Sequence, residues 1–204
     1  TFTNTLALIG GTDVFNARLS LSNLDHSSIV PESGYDKYTV NFVASADISK
    51  KLSIEGKANY IEERSNSRPN LSDFPSNPAK YFTIGPANVP HRFLAKTRDE
   101  LNNPVYWSNN PFTLSPYWGP LENINEDEKT RFIGYFKAKY QVFDWLSVQA
   151  RAATDNTLQE FLDVEIDGTQ HRVEGAIWQD IYDIKERNYD LIVQANRSFN
   201  EDFS

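Results

Sequence analysis

Between residues 130 and 154 the chain alternates side chains of opposite character. Phe132, Gly134, Phe136, Ala138, Tyr140 and Val142 share one parity; Arg131, Tyr135, Lys137, Lys139 and Gln141 share the other. After Asp144 and Trp145 the alternation resumes, with Leu146, Val148, Ala150 and Ala152 set against Ser147, Gln149 and Arg151. A period of two predicts β-strands with unlike faces. The same pattern recurs over residues 14–24, 35–48, 52–63 and 186–199, and more weakly over 3–9. Residues 200–202 read as a further tight turn, and Phe203 as the start of another strand.

The connections are as regular as the strands. Turns at 10–13, 49–51, 144–145 and 200–202 are short, whereas 25–34, about 64–129 and about 157–185 are longer and more variable. Short and long alternate, so an up-and-down antiparallel sheet would collect every short turn at one end. Outer-membrane barrels have this asymmetry; a Greek-key sandwich has no reason to show it. The apolar face is filled centrally by small residues, Ala44, Ala46, Gly56, Ala58, Gly134, Ala138, Ala150 and Ala152. A close-packed protein core would be left with voids, while lipid tails fill any shape. Aromatics gather at the ends instead: Tyr38, Tyr60, Phe132 and Tyr189 towards the long loops, Phe15, Phe143, Trp145 and Phe199 towards the short turns. Two aromatic bands around an apolar belt are what two membrane interfaces select. The predicted fold is all-β, an antiparallel up-and-down transmembrane β-barrel segment of about seven strands from a larger barrel. The alternative is a soluble all-β carbohydrate-binding domain.

Composition adds exclusions. The 204 residues are 39% hydrophobic and 13% aromatic with a net charge of −8, an acidity that speaks against a nucleic-acid partner. There is no cysteine, so no disulfide framework or thiolate metal site is expected. No apolar run approaches the roughly 18 residues of a membrane helix. The chain has no methionine even at position 1, which suggests an internal piece of a longer polypeptide. His26, His91 and His171 are spread through expected loops and read as solvated. The acidic run 122–129 does not have EF-hand spacing and reads as a solvated charge run. No nucleophile triad, phosphate loop or carboxylate pair stands out, so neither enzyme activity, cofactor nor metal is expected.

The stretch FNARLSLSNLDHSSIVPESGYDKYTVNFVASADISKKLSIEGKANYIEE resembles the barrel of SusC/RagA-type TonB-linked outer-membrane transporters, as do YFKAKYQVFDWLSVQARA and ERNYDLIVQANRSFNEDFS. One departure is His26-Ser27-Ser28, where that family more often carries a glutamine-glycine type pair. The resemblance implies a barrel of about 22 strands in the outer membrane of a Gram-negative bacterium of the Bacteroidota. It also implies an N-terminal plug, absent from this chain, uptake of an oligosaccharide or peptide driven through TonB, and a SusD-like surface lipoprotein as lid.

Site expectations follow from parity and loops. Arg18, Lys37, Asp47, Glu55, Lys57, Lys137, Lys139, Arg151 and Asp190 occupy polar-parity positions and should face a wet lumen. The loop at about 64–129 is dense in aromatics, which argues for order, and it should fold over the barrel mouth on the extracellular side. Tyr106, Trp107, Tyr117 and Trp118, with Trp178 and Tyr182 in the second loop, are the expected contacts for substrate or lipoprotein, since rigid aromatics anchor both sugars and protein partners. Trp145 should belong to the membrane-interface belt at the short-turn end.

Overall fold

Alternating side chains and tight turns produce one antiparallel sheet. The computed structural model describes residues 1–197. Its strands are β1 (Phe2–Gly11), β2 (Phe15–Ser27), β3 (Gly34–Asp47), β4 (Leu52–Asn66), β5 (Ile124–Phe143), β6 (Leu146–Glu165) and β7 (Ala176–Ala195). They lie side by side in sequence order, β1 and β7 form the two edges, and the sheet is not closed. The short turns are built locally. Ser49 Oγ accepts from the backbone N–H groups of Lys51 and Leu52, and Thr12 N–H donates to the Phe15 carbonyl. The expected turn at 200–202, with Phe199 and Phe203, lies outside the described residues.

β5, β6 and β7 are each 20 residues long, which corrects two loop boundaries. The first long connection is 67–123 rather than about 64–129, and the second shrinks from about 157–185 to 166–175. The acidic run at 122–129 is therefore mostly strand, and Trp178 and Tyr182 belong to β7. The reason is physical: beyond the apolar belt neither parity is uniformly apolar or polar, so alternation vanishes although the ladder continues. Side-chain pairs hold the extension. Asn125 donates to Asp163 at 3.3 Å and Gln159 to Asp127 at 3.0 Å.

The register settles which residues share a face, because directly paired residues project to the same side. One row runs Leu6, Leu21, Val40, Tyr60, Phe132, Asn156 and Lys185. The predicted apolar positions all fall on the face of this row, and the charged set from Arg18 to Asp190 on the other. Apolar side chains on the first face, such as Phe42, Phe136 and Leu191, are exposed. No element of the described chain covers them.

In β2 to β7 the continuous apolar run on this face ends at Leu21 before Asn23, Tyr38 before Asp36, Tyr60 before Glu62, Phe132 before Thr130, Ala152 before Thr154 and Tyr189 before Arg187; in β6 and β7 scattered apolar residues such as Leu158 and Ile181 follow beyond that point. The switch does not follow a row. It lies on the Leu6–Lys185 row or above it in β2 to β5, and four residues nearer the short turns in β6 and β7. The short-turn edge descends likewise. Phe15 shares a row with Ile54 and Leu191, whereas Leu52 lies one row of the same face lower and Leu146 one lower again. The belt thus slopes by about one residue per strand. With a rise of about 3.3 Å and a strand spacing of about 4.8 Å, that slope is a strand tilt of about 35°, within the barrel range. From Leu52 to Tyr60 the belt measures about 26 Å along the strand, or about 22 Å along the belt normal, close to the apolar band of outer-membrane barrels.

The buried hydrophobic residues among those described, Tyr81, Leu94, Leu114 and Trp118, all lie in the 67–123 connection. That segment carries α1 (Pro78–Ile84), α2 (His91–Leu94) and α3 (Trp118–Glu122). Asn77 caps α1 by accepting from Ala79 N–H, with Pro78 at the first helical position where its missing N–H costs nothing. Ser115 donates to the Leu94 carbonyl at 2.6 Å, tying α2 to the approach to α3. Replacing Trp118 with alanine should remove about 3–5 kcal/mol of packing. Limited proteolysis should then cleave within 67–123 while the strands stay protected; unchanged protection of the loop would contradict this account of its core.

Candidate functional site

Two connections meet at the long-loop end of β5 and β6. Trp118 Nε1 donates to Thr169 Oγ1 at 3.1 Å, Tyr106 Oη to the Gly168 carbonyl at 2.6 Å, and Gln170 Nε2 to the Ser108 carbonyl at 2.8 Å. The 67–123 segment also docks on the polar face, where Arg68 pairs with Asp127 at 3.1 Å. Gly168 and Gly175, with φ of 83° and 72°, shape the 166–175 turn in the left-handed region. A Cβ on Gly175 would meet the Glu165 carbonyl at 2.6 Å, so this turn admits only glycine there.

Inside the junction lies a carboxylate absent from the sequence-based site. Glu165 is fully buried and is approached by His171 Nε2 at 3.0 Å and Arg172 Nε at 3.2 Å. Phe74 and Phe112 lie against the His171 ring at centroid distances of 6.4 and 6.3 Å, and the Arg172 guanidinium lies over the Trp178 indole at 4.7 Å. His171 is thus a packed group rather than the solvated loop histidine expected, because its ring replaces water with phenyl neighbours and a buried anion. His91, by contrast, is exposed, and meets Tyr117 Oη at 3.2 Å. No one-dimensional signal marks Glu165, whose strand looked like loop in the sequence; the glycine-flanked hairpin DGTQHRVEG was the available hint.

The expected contacts divide. Trp118 is 1% exposed, with Arg98 5.6 Å over its ring; as a core residue it cannot serve as a surface platform. Trp107 is half-buried, edge-on to Tyr81 at 5.2 Å, and its Nε1 is buried without a hydrogen-bond partner. Tyr117 is half-buried, whereas Tyr106 is exposed. Trp178 and Tyr182 are exposed on the polar face of β7, Tyr182 packing edge-on against Phe161 at 5.9 Å. At the opposite end Trp145 stacks with Phe143 at 5.6 Å and 11°, far from this junction.

The charged set expected in the lumen shares the polar face, and much of it is paired across strands. Lys137 meets Glu55 at 2.8 Å and Arg151 meets Asp190 at 2.8 Å. Arg18, Lys57 and Lys139 form no ion pair among the described residues. Just above the apolar belt, Glu63 bridges Lys37 at 2.9 Å and Lys129 at 3.1 Å, joining β3, β4 and β5. Burial alone would raise the Glu63 carboxyl, but hydrogen bonds from Lys37, Lys129 and Tyr35 outweigh it and hold the pKa at about 2. Burial, together with that anion, pushes the Tyr35 phenol up to about 12.

Neither a family model nor a curated protein matches this chain. Solved structures do. The chain is similar to the RagAB peptide importer in an open-open state, with a TM-score of 0.73 and 11% identity over 98% of this chain. It is also similar to the open form of the ferric-catecholate import receptor Fiu of E. coli K12, with a TM-score of 0.52 and 10% identity over 94% of this chain. The chain spans 22% and 28% of those two chains. The shared architecture is an up-and-down antiparallel barrel wall.

Because the Glu63 carboxyl is depressed in the fold, its stabilisation is present above the unfolded carboxylate pKa. It is lost as pH falls from about 4.5 through about 2. Glu63→Gln in the intact protein should destabilise it at pH 7 by on the order of 2 kcal/mol. It should also flatten the acid limb in that window, as followed by chemical unfolding at stepped pH. An acid limb identical to wild type would contradict the role of this bridge.

Proposed function

We propose that this chain is part of the wall of a TonB-dependent outer-membrane importer of the SusC/RagA type, taking up an oligosaccharide or peptide under a SusD-like surface lipoprotein. The observation that carries the membrane half of this reading is the sloping apolar belt. A flat bilayer imposes one plane on tilted strands, so the edges of the belt must fall relative to the register on crossing the sheet, as both do between β2 and β7; a packed protein layer has no reason to impose such a plane. The importer half is supported by likeness to the RagAB peptide importer and the Fiu receptor, and by the resemblance of the strand sequences.

In this reading the polar face looks into the lumen. Its unpaired Arg18, Lys57 and Lys139 then contact the plug or the permeation path, and TonB acts through a plug-bearing region outside this chain. The 67–123 segment and the 166–175 turn stand at the external mouth. Tyr106, Trp178 and Tyr182 are the aromatic surfaces offered to substrate or lipoprotein; Trp107 and Tyr117 are half-buried and pack against Tyr81 and His91 within the 67–123 segment.

The two faces make a direct test. Arginine at Ala44, in the middle of the belt, should cost about 2–4 kcal/mol and lower insertion into the outer membrane, while arginine at the adjacent Ser45 should insert normally. Fractionation followed by heat-modifiability on gels reads both. Equal insertion of the two variants would reject the assignment of faces. Replacing residues 69–121 by a short linker should leave insertion intact and lower uptake or lipoprotein capture; full uptake would reject the role given to the loop.

A further inference from the structure

Resting on the reading that the polar face lines the uptake path, we infer that Arg172 is a seat for a ligand carboxylate at the barrel mouth. The 166–175 turn supports it from behind. Arg172 Nε lies at ion-pair distance, 3.2 Å, from the buried Glu165, its backbone N–H donates to the Thr169 carbonyl at 2.7 Å, and its guanidinium lies over the Trp178 ring at 4.7 Å. These contacts restrain the guanidinium from one side. The two terminal nitrogens form no hydrogen bond among the described residues, and the side chain is 45% exposed. A planar fork restrained in this way, with two donors left over, matches a carboxylate bidentately.

The surroundings fit an anion attached to a larger apolar or sugar-like body. Trp178, Phe74 and Phe112 are exposed beside the turn, and Trp178 projects from the polar face of β7. The nearest carboxylate, Glu165, is fully buried behind the turn, with His171 Nε2 3.0 Å from it. Asp163, opposite Trp178 in the register, has its carboxyl raised by burial and then by Glu165, and Asn125 donates to it at 3.3 Å. The shared ligand chemistry is a carboxylate, which a peptide C-terminus or a uronic acid supplies equally well.

The test uses the intact protein extracted in detergent and isothermal titration at pH 7 with two probe pairs. Tetra-alanine is compared with its C-terminal amide, and digalacturonate with its methyl ester. Wild type should bind at least one acid about tenfold more tightly than its neutral partner, and the pair that shows the difference identifies the source. Arg172→Gln should abolish that preference while leaving the neutral form's affinity unchanged, and Arg172→Lys should restore only part of it. Thermal unfolding of the variants separates loss of the seat from loss of the fold, and Trp178→Phe, which keeps a ring under the guanidinium, should retain the preference. Equal binding of acid and neutral forms by wild type, no binding of either acid, or a preference that survives in folded Arg172→Gln would overturn the inference. Membrane fractionation does not enter this test, so failure here leaves the wall reading to be judged by its own experiment.

Discussion

An apolar face without a protein partner is the constraint on which the remaining features depend. Each central strand presents alternate apolar side chains to one side, and nothing in the described chain lies over them. Burying such a face is worth roughly 25 cal/mol per Å², so leaving it in water would be prohibitive across several strands. The belt also has two parallel edges, an aromatic border and a slope of about one residue per strand. Small residues at its centre, such as Gly134 and Ala138, make sense where the covering medium is fluid and needs no complementary shape.

The opposite face answers to a different constraint. Its charges are kept off the apolar side and are partly neutralised across strands, as Glu55 with Lys137 and Glu63 with Lys37 and Lys129 show. Above the belt the contrast between the two faces fades while the ladder continues. Its upper end is then consolidated by the 67–123 segment, whose small core and whose bonds to Thr169, Gly168 and Gln170 fasten it to the next turn. A loop without that core would have little reason to hold Glu165 dry, and without Glu165 the Arg172 fork would lose its orientation.

Much of the fold was legible in the sequence where the two faces differ. Residues 35–48, 52–63 and 130–152 alternate apolar with polar, and there the strands, turns and faces agree with the structure. Legibility ended where the contrast between faces ended: residues 124–129 are mostly polar on both parities, while 153–165 and 176–185 mix apolar and polar residues on both, so none of the three alternates although all are strand. Trp178 and Tyr182 were misplaced into a loop for that reason. Trp118 was misjudged differently, since aromatic density marks an ordered loop without telling which ring becomes its core. The Glu165–His171–Arg172 group depends on a hairpin folding back on a strand end, a contact that no periodicity encodes.

The central claim is that a flat apolar slab cuts these strands obliquely, and depth measurement tests it most directly. The chain has no cysteine, so single cysteines placed in it, within the intact protein with any cysteine elsewhere replaced, can carry spin labels for oxygen and nickel-chelate accessibility in bilayers. Labels at Phe42, Ala58 and Phe136 should favour oxygen, as lipid-facing sites do, and labels at Asn41, Lys57 and Lys137 should not. At the upper edge, labels at Tyr60, Phe132 and Tyr189 should report similar depths, although Tyr189 lies four residues below the other two in the register. Depths that follow the register rows instead, or oxygen-rich signals from the Lys57 face, would contradict the account.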